Sequence, residues 1–312
     1  MADQIARPLY YLGIHLLFAS LVWLAAWLLT SIPRGSATTK YWIWLGTSLN
    51  FILPLGALVD RLLARHLTWA SPLAFIGGVG LRIAEDAVLA SVLGAVWLLG
   101  AALMFTRLCL RLRAERPAAQ THLDPGGNDQ RPAFFTQGVP VRYGRISQPP
   151  SVDGLVRPRI SLPSGIHRLL TEDELAAVLI HELTHAKRRD NLIRLVHEIG
   201  LCVLWFHPLV WVTGARLSLY RELSCDESVI HRSRGRDLVS ALAKLANPEQ
   251  PFLLQAMASS FLSLRLARLR TAPSHPAGRA ANTLLSATFG AVLVIGIFQT
   301  VAHTACCFLR KH

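Results

Sequence analysis

Charge is scarce in this chain, and negative charge is scarcer. Of 312 residues only 16% are charged, with 19 Asp and Glu against 32 Lys and Arg, while 52% are apolar and the mean hydropathy is positive. That balance points to a membrane protein. The formal charge of +13 does not imply nucleic acid as a partner. The cations flank apolar segments instead of forming a DNA-reading module, and the positive-inside rule accounts for them. Cysteine is sparse too. Cys109, Cys202, Cys225, Cys306 and Cys307 show neither a metal-binding C-x-x-C spacing nor a disulfide framework. Cys225 reads as a small packed residue rather than a ligand.

What is abundant is long apolar sequence. Residues 9–31 can span a bilayer, and they are too long, without an obvious small-residue cleavage site, for a cleaved signal peptide. A turn at Pro33-Arg34-Gly35-Ser36 leads to a second span, Tyr41 to Leu63, with Pro54 as a kink. Residues 65–84 read as an irregular or interfacial connection. A third span, Ala87 to Leu108, ends among Arg107, Arg111, Arg113 and Arg116, and a fourth runs from Leu284 to Val301. The segment between the third and fourth spans is basic at both ends, with Arg265, Arg268, Arg270 and Arg279 at the second. It is therefore expected in the cytoplasm, with both termini outside. Arg61, Arg65 and Arg82 in the opposite loop pull mildly the other way. The expected plan is three transmembrane helices in 1–116, a cytoplasmic domain in 117–283 and a fourth helix with a short tail in 284–312. This is a mainly α, multi-pass protein of a bacterial-type cytoplasmic membrane.

Within the cytoplasmic segment, residues 117–132 read as a flexible linker. Between Phe134 and Leu162, short β-favouring pieces alternate with Gly and Pro, which predicts a small sheet whose open edge could hold a substrate backbone by strand addition. Thr171 and Glu174 form a capping box that opens a helix. On that helix lies His181-Glu182-Leu183-Thr184-His185. Residues four apart share a face, so His181 and His185 can aim at one point, with Glu182 beside it as a general base. Two partly exposed histidines and a surface glutamate on an ordinary helix would be the plainer explanation.

Residues further along favour the zinc site. A catalytic zinc takes three protein ligands and keeps a position open. Glu222 is the candidate third ligand, and Asp226, one turn on, can hold the other ring nitrogen of a zinc histidine. Leu192 to Val212 is apolar enough to be mistaken for another span, but a crossing would part the two halves of the site by about 30 Å. The segment must instead fold back at His207-Pro208. About seventeen residues out to His207 rise roughly 25 Å and about fourteen from Pro208 to Glu222 return roughly 21 Å. The hairpin tip then lies in or against the membrane, and His197 and His207 are hairpin residues rather than ligands. His231, nine residues past Glu222 and about 180° round the helix, could act only if the helix ends before it. Downstream, 237–245 is an amphipathic helix, and Ser263 to Arg270, interleaving Leu and Arg, suits a basic surface helix near anionic lipid or an ordinary solvated one.

Pro158-Arg159-Ile160-Ser161-Leu162-Pro163, the H-E-L-T-H-A-K-R-R-D-N run, Trp205-Phe206-His207-Pro208-Leu209-Val210-Trp211 and Arg221-Glu222-Leu223-Ser224-Cys225-Asp226-Glu227 together resemble the BlaR/MecR-type membrane metallopeptidases. The resemblance is close over about residues 145–235 and loose over the membrane plan. It implies zinc on His181, His185 and Glu222, Glu182 as catalytic base, and a gluzincin-like α+β domain. It also implies a regulatory role, cleaving a cytosolic repressor-type protein or the chain itself, the latter between about Asn247 and Ser274. Members that sense β-lactams carry a large extracellular penicillin-binding domain after the last span, which this sequence, ending at His312, does not show. A prenyl-protease or HtpX-type quality-control protease and a catalytically silent membrane transducer are the alternatives. A homodimer is left open.

Overall fold

In the computed structural model the chain is described over residues 2–33, 35–53, 87–114, 137–144, 149–245, 262–271 and 278–309. The 117–132 linker, the 65–84 connection and most of the 247–274 stretch lie outside them. The architecture is mainly helical. Three apolar helices, α1 (Ala2–Ser31), α3 (Ala87–Ala114) and α10 (Arg279–Leu309), contain the segments long and apolar enough to cross a membrane among the described residues: Leu12–Ser31, Ser91–Ala114 and Arg279–Ile297. The expected second span departs from this pattern. Helix α2 (Ala37–Ile52) stops two residues short of Pro54, with Leu53 extended, because the residue before a proline is pushed out of the helical region. Residues 54–63 lie outside the described ones.

Helix α2 starts with the Ser36 side chain accepting from the Thr39 amide. Its first two turns are also held from outside. The Glu227 carboxylate accepts from the Ala37 and Thr38 amides and from the Thr38 hydroxyl, placing an anion at a helix N-terminus. Lys40 donates to Thr30 O and Ile32 O, satisfying carbonyls at the end of α1.

The remaining elements are β1 (Val141–Gly144), β2 (Ser151–Asp153), β3 (Arg159–Pro163), α4 (Ile166–Leu169), α5 (Glu172–Arg188), α6 (Asp190–Val203), α7 (Pro208–Ile230), α8 (Gly235–Leu245) and α9 (Leu262–Thr271). The sheet has the order β1-β3-β2, with β1 parallel and β2 antiparallel to β3. Its apolar face (Val141, Tyr143, Val152, Ile160, Leu162) joins the buried run Leu175 to Leu183 of α5, Leu238, Leu242 and Leu245 of α8, and Leu269 of α9 in one core. The capping box on α5 forms as the sequence predicts, and Glu174 also accepts from Ser240 and Lys244 of α8. Burial alone would raise the Glu174 pKa, but Lys244, Ser240 and the Thr171 amide hold it down at about 2.

Helices α6 and α7 form the expected hairpin, broken after Val203 and restarted with Pro208 at the first helical position. Apolar side chains at and near its tip, Val203, Phe206 and Trp211 among them, are exposed, as a membrane-facing surface requires. The tip docks on α3. Trp97 donates to Val203 O, Trp205 donates to Trp97 O, and the Trp205 ring lies where a side chain on Gly100 would sit, 2.2 Å from a hypothetical Cβ. Only glycine permits that approach.

Candidate active site

Helix α5 ends at Arg188, and Arg189, in the left-handed conformation, turns the chain into α6. That bend returns Asp190 to the preceding turn, where it meets His185. The return leg of the hairpin, α7, brings Glu222 and Asp226 alongside α5. The result is one cluster. His181 Nε2 and His185 Nε2 are 3.2 Å apart, and Glu222 Oε2 lies 3.6 Å from the first and 3.8 Å from the second. Ligand atoms on a tetrahedral zinc with bonds near 2.0–2.1 Å stand roughly 3.3 Å apart, so the donor set fits a zinc ion. All three donor atoms are turned toward one point, and the Arg265 guanidinium stands beside it, 3.4 Å from His181 Nε2 and 3.4 Å from Glu222 Oε2.

A carboxylate lies behind each ring. His185 Nδ1 lies 2.6 Å from Asp190 Oδ2. His181 Nδ1 lies 3.1 Å from Asp226 Oδ1, short in distance though off the hydrogen-bond axis, so that nitrogen has no aligned partner. Asp226 thus lies beside the second ring nitrogen of His181. Asp190 stands in the same relation to His185, and its place in the H-A-K-R-R-D-N run is the one signal of it in the sequence. It also accepts from Tyr41 Oη at 3.1 Å and Arg188 Nη2 at 2.7 Å. Arg188 in turn reaches Ser224 Oγ at 2.7 Å and lies 4.2 Å over the Tyr41 ring.

Arg265 corrects the reading of α9. Instead of facing lipid or solvent, it is buried and grips Asp226 with two bonds, Nε at 2.9 Å and Nη2 at 2.8 Å. Its Nη1 lies 3.4 Å from Glu222 Oε2. With Leu269 in the core, the inner face of α9 is a lid over the site, and its Leu–Arg alternation conceals an i, i+4 buried pair. Cys225 is fully buried as expected, but its sulfur also belongs to a potential metal cluster with His181 and His185. Glu182 lines the same cleft with no ion pair or side-chain hydrogen bond among the described residues, leaving its carboxylate free to accept a proton. His231, at the C-cap of α7, is exposed and does not line the cleft. His197 bonds Ser48 and His207 lies near Ser20, both within the helical assembly as expected.

Burial and the nearby Arg265 guanidinium oppose charge on His181, but Asp226 and Glu222 outweigh both and raise its pKa to about 9. His185 is also raised, with burial opposed by Cys225, Glu222 and Asp190. In the metal-free protein the raised His181 value contributes stability that is full below about 6.5 and is lost as pH rises through about 9. Metal needs the neutral ring, so loading near pH 7 expels this proton. Apparent zinc affinity should rise at least about tenfold per pH unit between about pH 6 and 8, read by competition with a chromophoric chelator. A flat profile would contradict these protonation states.

A family model described as BlaR1 peptidase M56 matches residues 11–269. The regulatory protein BlaR1 of Bacillus licheniformis is 28% identical over 178 residues, 54% of this chain and 28% of that protein. The methicillin resistance mecR1 protein of Staphylococcus aureus is 25% identical over 97 residues, 31% of this chain and 17% of its own length. The chain thus spans under a third of the length of the relatives it matches. A match that covers the α1–α9 region, from the first apolar helix through both halves of the cluster, places this chain in the BlaR1 peptidase M56 family.

Proposed function

We propose that the chain is an integral-membrane zinc endopeptidase of the gluzincin type. Its domain between α3 and α10 faces the cytoplasm and cleaves a cytosolic regulatory protein of the repressor type, or itself. The observation that carries this reading is the convergence of His181 Nε2, His185 Nε2 and Glu222 Oε2 beside the free carboxylate of Glu182. When bound, zinc supplies Lewis acidity, bringing the pKa of water near neutrality and polarising the scissile carbonyl. Glu182 takes the proton of the attacking water and returns it to the leaving amine. Asp226 and Asp190 fix the orientation of the two histidine rings. Arg265, locked on Asp226, holds a positive charge at the cleft where the carbonyl oxygen becomes negative. The regulatory role rests on the relatives named as regulatory and resistance proteins. The positive-inside distribution of arginine supports the orientation.

The test is co-expression with cytosolic repressor candidates, comparing wild type with Glu182→Gln for zinc content and cleavage. Cleavage in the wild type alone, with zinc in both, supports the reading. Zinc in neither folded protein defeats it.

Among the described residues, Cys225 provides a rival third donor beside His181 and His185. If Glu222 is the third ligand, Cys225→Ser keeps zinc binding within about threefold, whereas Glu222→Gln weakens it by about tenfold or more; chelator competition reads both. The reverse order would transfer the third position to the thiolate.

A further inference from the structure

The cleft beside the cluster, about 940 Å³, is walled on one side by the sheet and on the other by α6 and α7. We propose that its sheet wall selects acidic peptide segments through Arg142, Arg157 and Arg159; this rests on the peptidase reading of the same cleft.

Strand register sets the wall. Arg142 pairs with Ser161, and Arg159 stands opposite Asp153, so these residues share the polar face while Val141, Val152 and Ile160 enter the core. Arg157 projects from the exposed turn between β2 and β3. All three arginines line the cleft, and among the described residues none has an ion pair or a side-chain hydrogen bond. The carboxylates of the cleft are mostly spoken for. Asp153 takes the Ser161 hydroxyl rather than the guanidinium opposite. Asp190 holds His185 and Arg188, Glu198 pairs with Arg111 and Arg194, and Glu222 faces both histidines, Arg221 and Arg265. Among the described residues, Glu182 alone of these carboxylates has neither an ion pair nor a side-chain hydrogen bond. Among the described residues, the negative charges of Asp190, Glu198 and Glu222 meet cations, and the three arginines of the sheet wall outnumber the two cleft carboxylates, Asp153 and Glu182, that do not.

Backbone pairing is curtailed on the same wall. Asn191 Nδ2 donates to Val152 O at 2.7 Å and to Gly154 O at 3.4 Å, occupying acceptors that an added strand would use. Recognition there falls to side chains, and guanidinium groups match carboxylates in geometry as well as charge. Bilayer headgroups could in principle satisfy the same cations. A concave wall leading to Glu182 and the histidines suits an extended polypeptide better than a lipid surface.

The experiment uses the full chain as Glu182→Gln in phosphatidylcholine nanodiscs, with fluorescent peptides identical except for Glu or Gln at several positions. Anisotropy should show the Glu peptide binding about tenfold tighter, a margin that shrinks as salt is raised. Arg142→Gln/Arg157→Gln/Arg159→Gln should erase the margin, and Arg157→Glu/Arg159→Glu should turn it toward a Lys peptide. Equal binding of the Glu and Gln peptides, or an acidic preference that survives the triple change, overturns the proposal. So does a preference lost when phosphatidylglycerol replaces phosphatidylcholine at constant ionic strength, since the arginines would then serve the bilayer. Binding in Glu182→Gln requires no turnover, so acid-selective binding without wild-type cleavage would defeat only the peptidase reading.

Discussion

Glu182→Gln leaves zinc bound and lowers cleavage on the order of 10³-fold. The amide keeps the shape of the side chain and loses the ability to accept a proton. Nothing else among the described residues depends on the Glu182 carboxylate, so the change touches chemistry rather than folding. Its neighbour His181 is held by Asp226 and the body of α5 is buried in the core, so the ligand cluster stays in place. The measurement is an initial rate of substrate cleavage alongside zinc per chain. A rate within tenfold of wild type would remove Glu182 as the base. Zinc lost together with activity would make it structural.

Asp190→Ala should be costly in two separate readouts. The carboxylate is buried and serves Tyr41, His185 and Arg188 at once. Its removal leaves the Arg188 guanidinium buried without its anion, a loss of about 3–5 kcal/mol. It also frees the His185 ring to rotate, which should weaken metal affinity by about 10–100-fold. Denaturant titration of the metal-free protein reads the first effect and chelator competition the second. Tyr41→Phe provides the control, because it removes one neutral donor and leaves both the charge pair and the ring contact. Asp190→Ala no worse than Tyr41→Phe in both assays would mean that Asp190 neither orients His185 nor balances Arg188.

Helix α5 was legible because its signals are local. A capping box marks its start, an apolar run its buried face, and the spacing of four its two histidines. The hairpin followed from a proline and from arithmetic, since helix rise sets how far the chain travels before it must return. Asp190 was harder to find because its role depends on one left-handed residue, Arg189, which a non-glycine side chain only occasionally adopts. Arg265 was harder still. Leucine and arginine in alternation read as a surface pattern, and only the docking of α9 against α8 and α7 decides which arginine goes inside. The shortness of α2 is half visible in the sequence, since a proline at 54 marks either a kink or an end and the extended Leu53 decides for the end.

Helix α7 carries the candidate ligand Glu222, the Asp226 that backs His181, and the Glu227 that caps α2, all within two turns. Each residue of an α-helix advances the azimuth by about 100°. Inserting or deleting one residue between Pro208 and Glu222 would therefore swing all three carboxylates off their partners together, or else displace the break at the hairpin tip. Point changes on the exposed side of α7 are individually tolerable, but a change in its length is not. Across diverging copies of this chain, that leg of the hairpin should vary in composition and stay fixed in residue count.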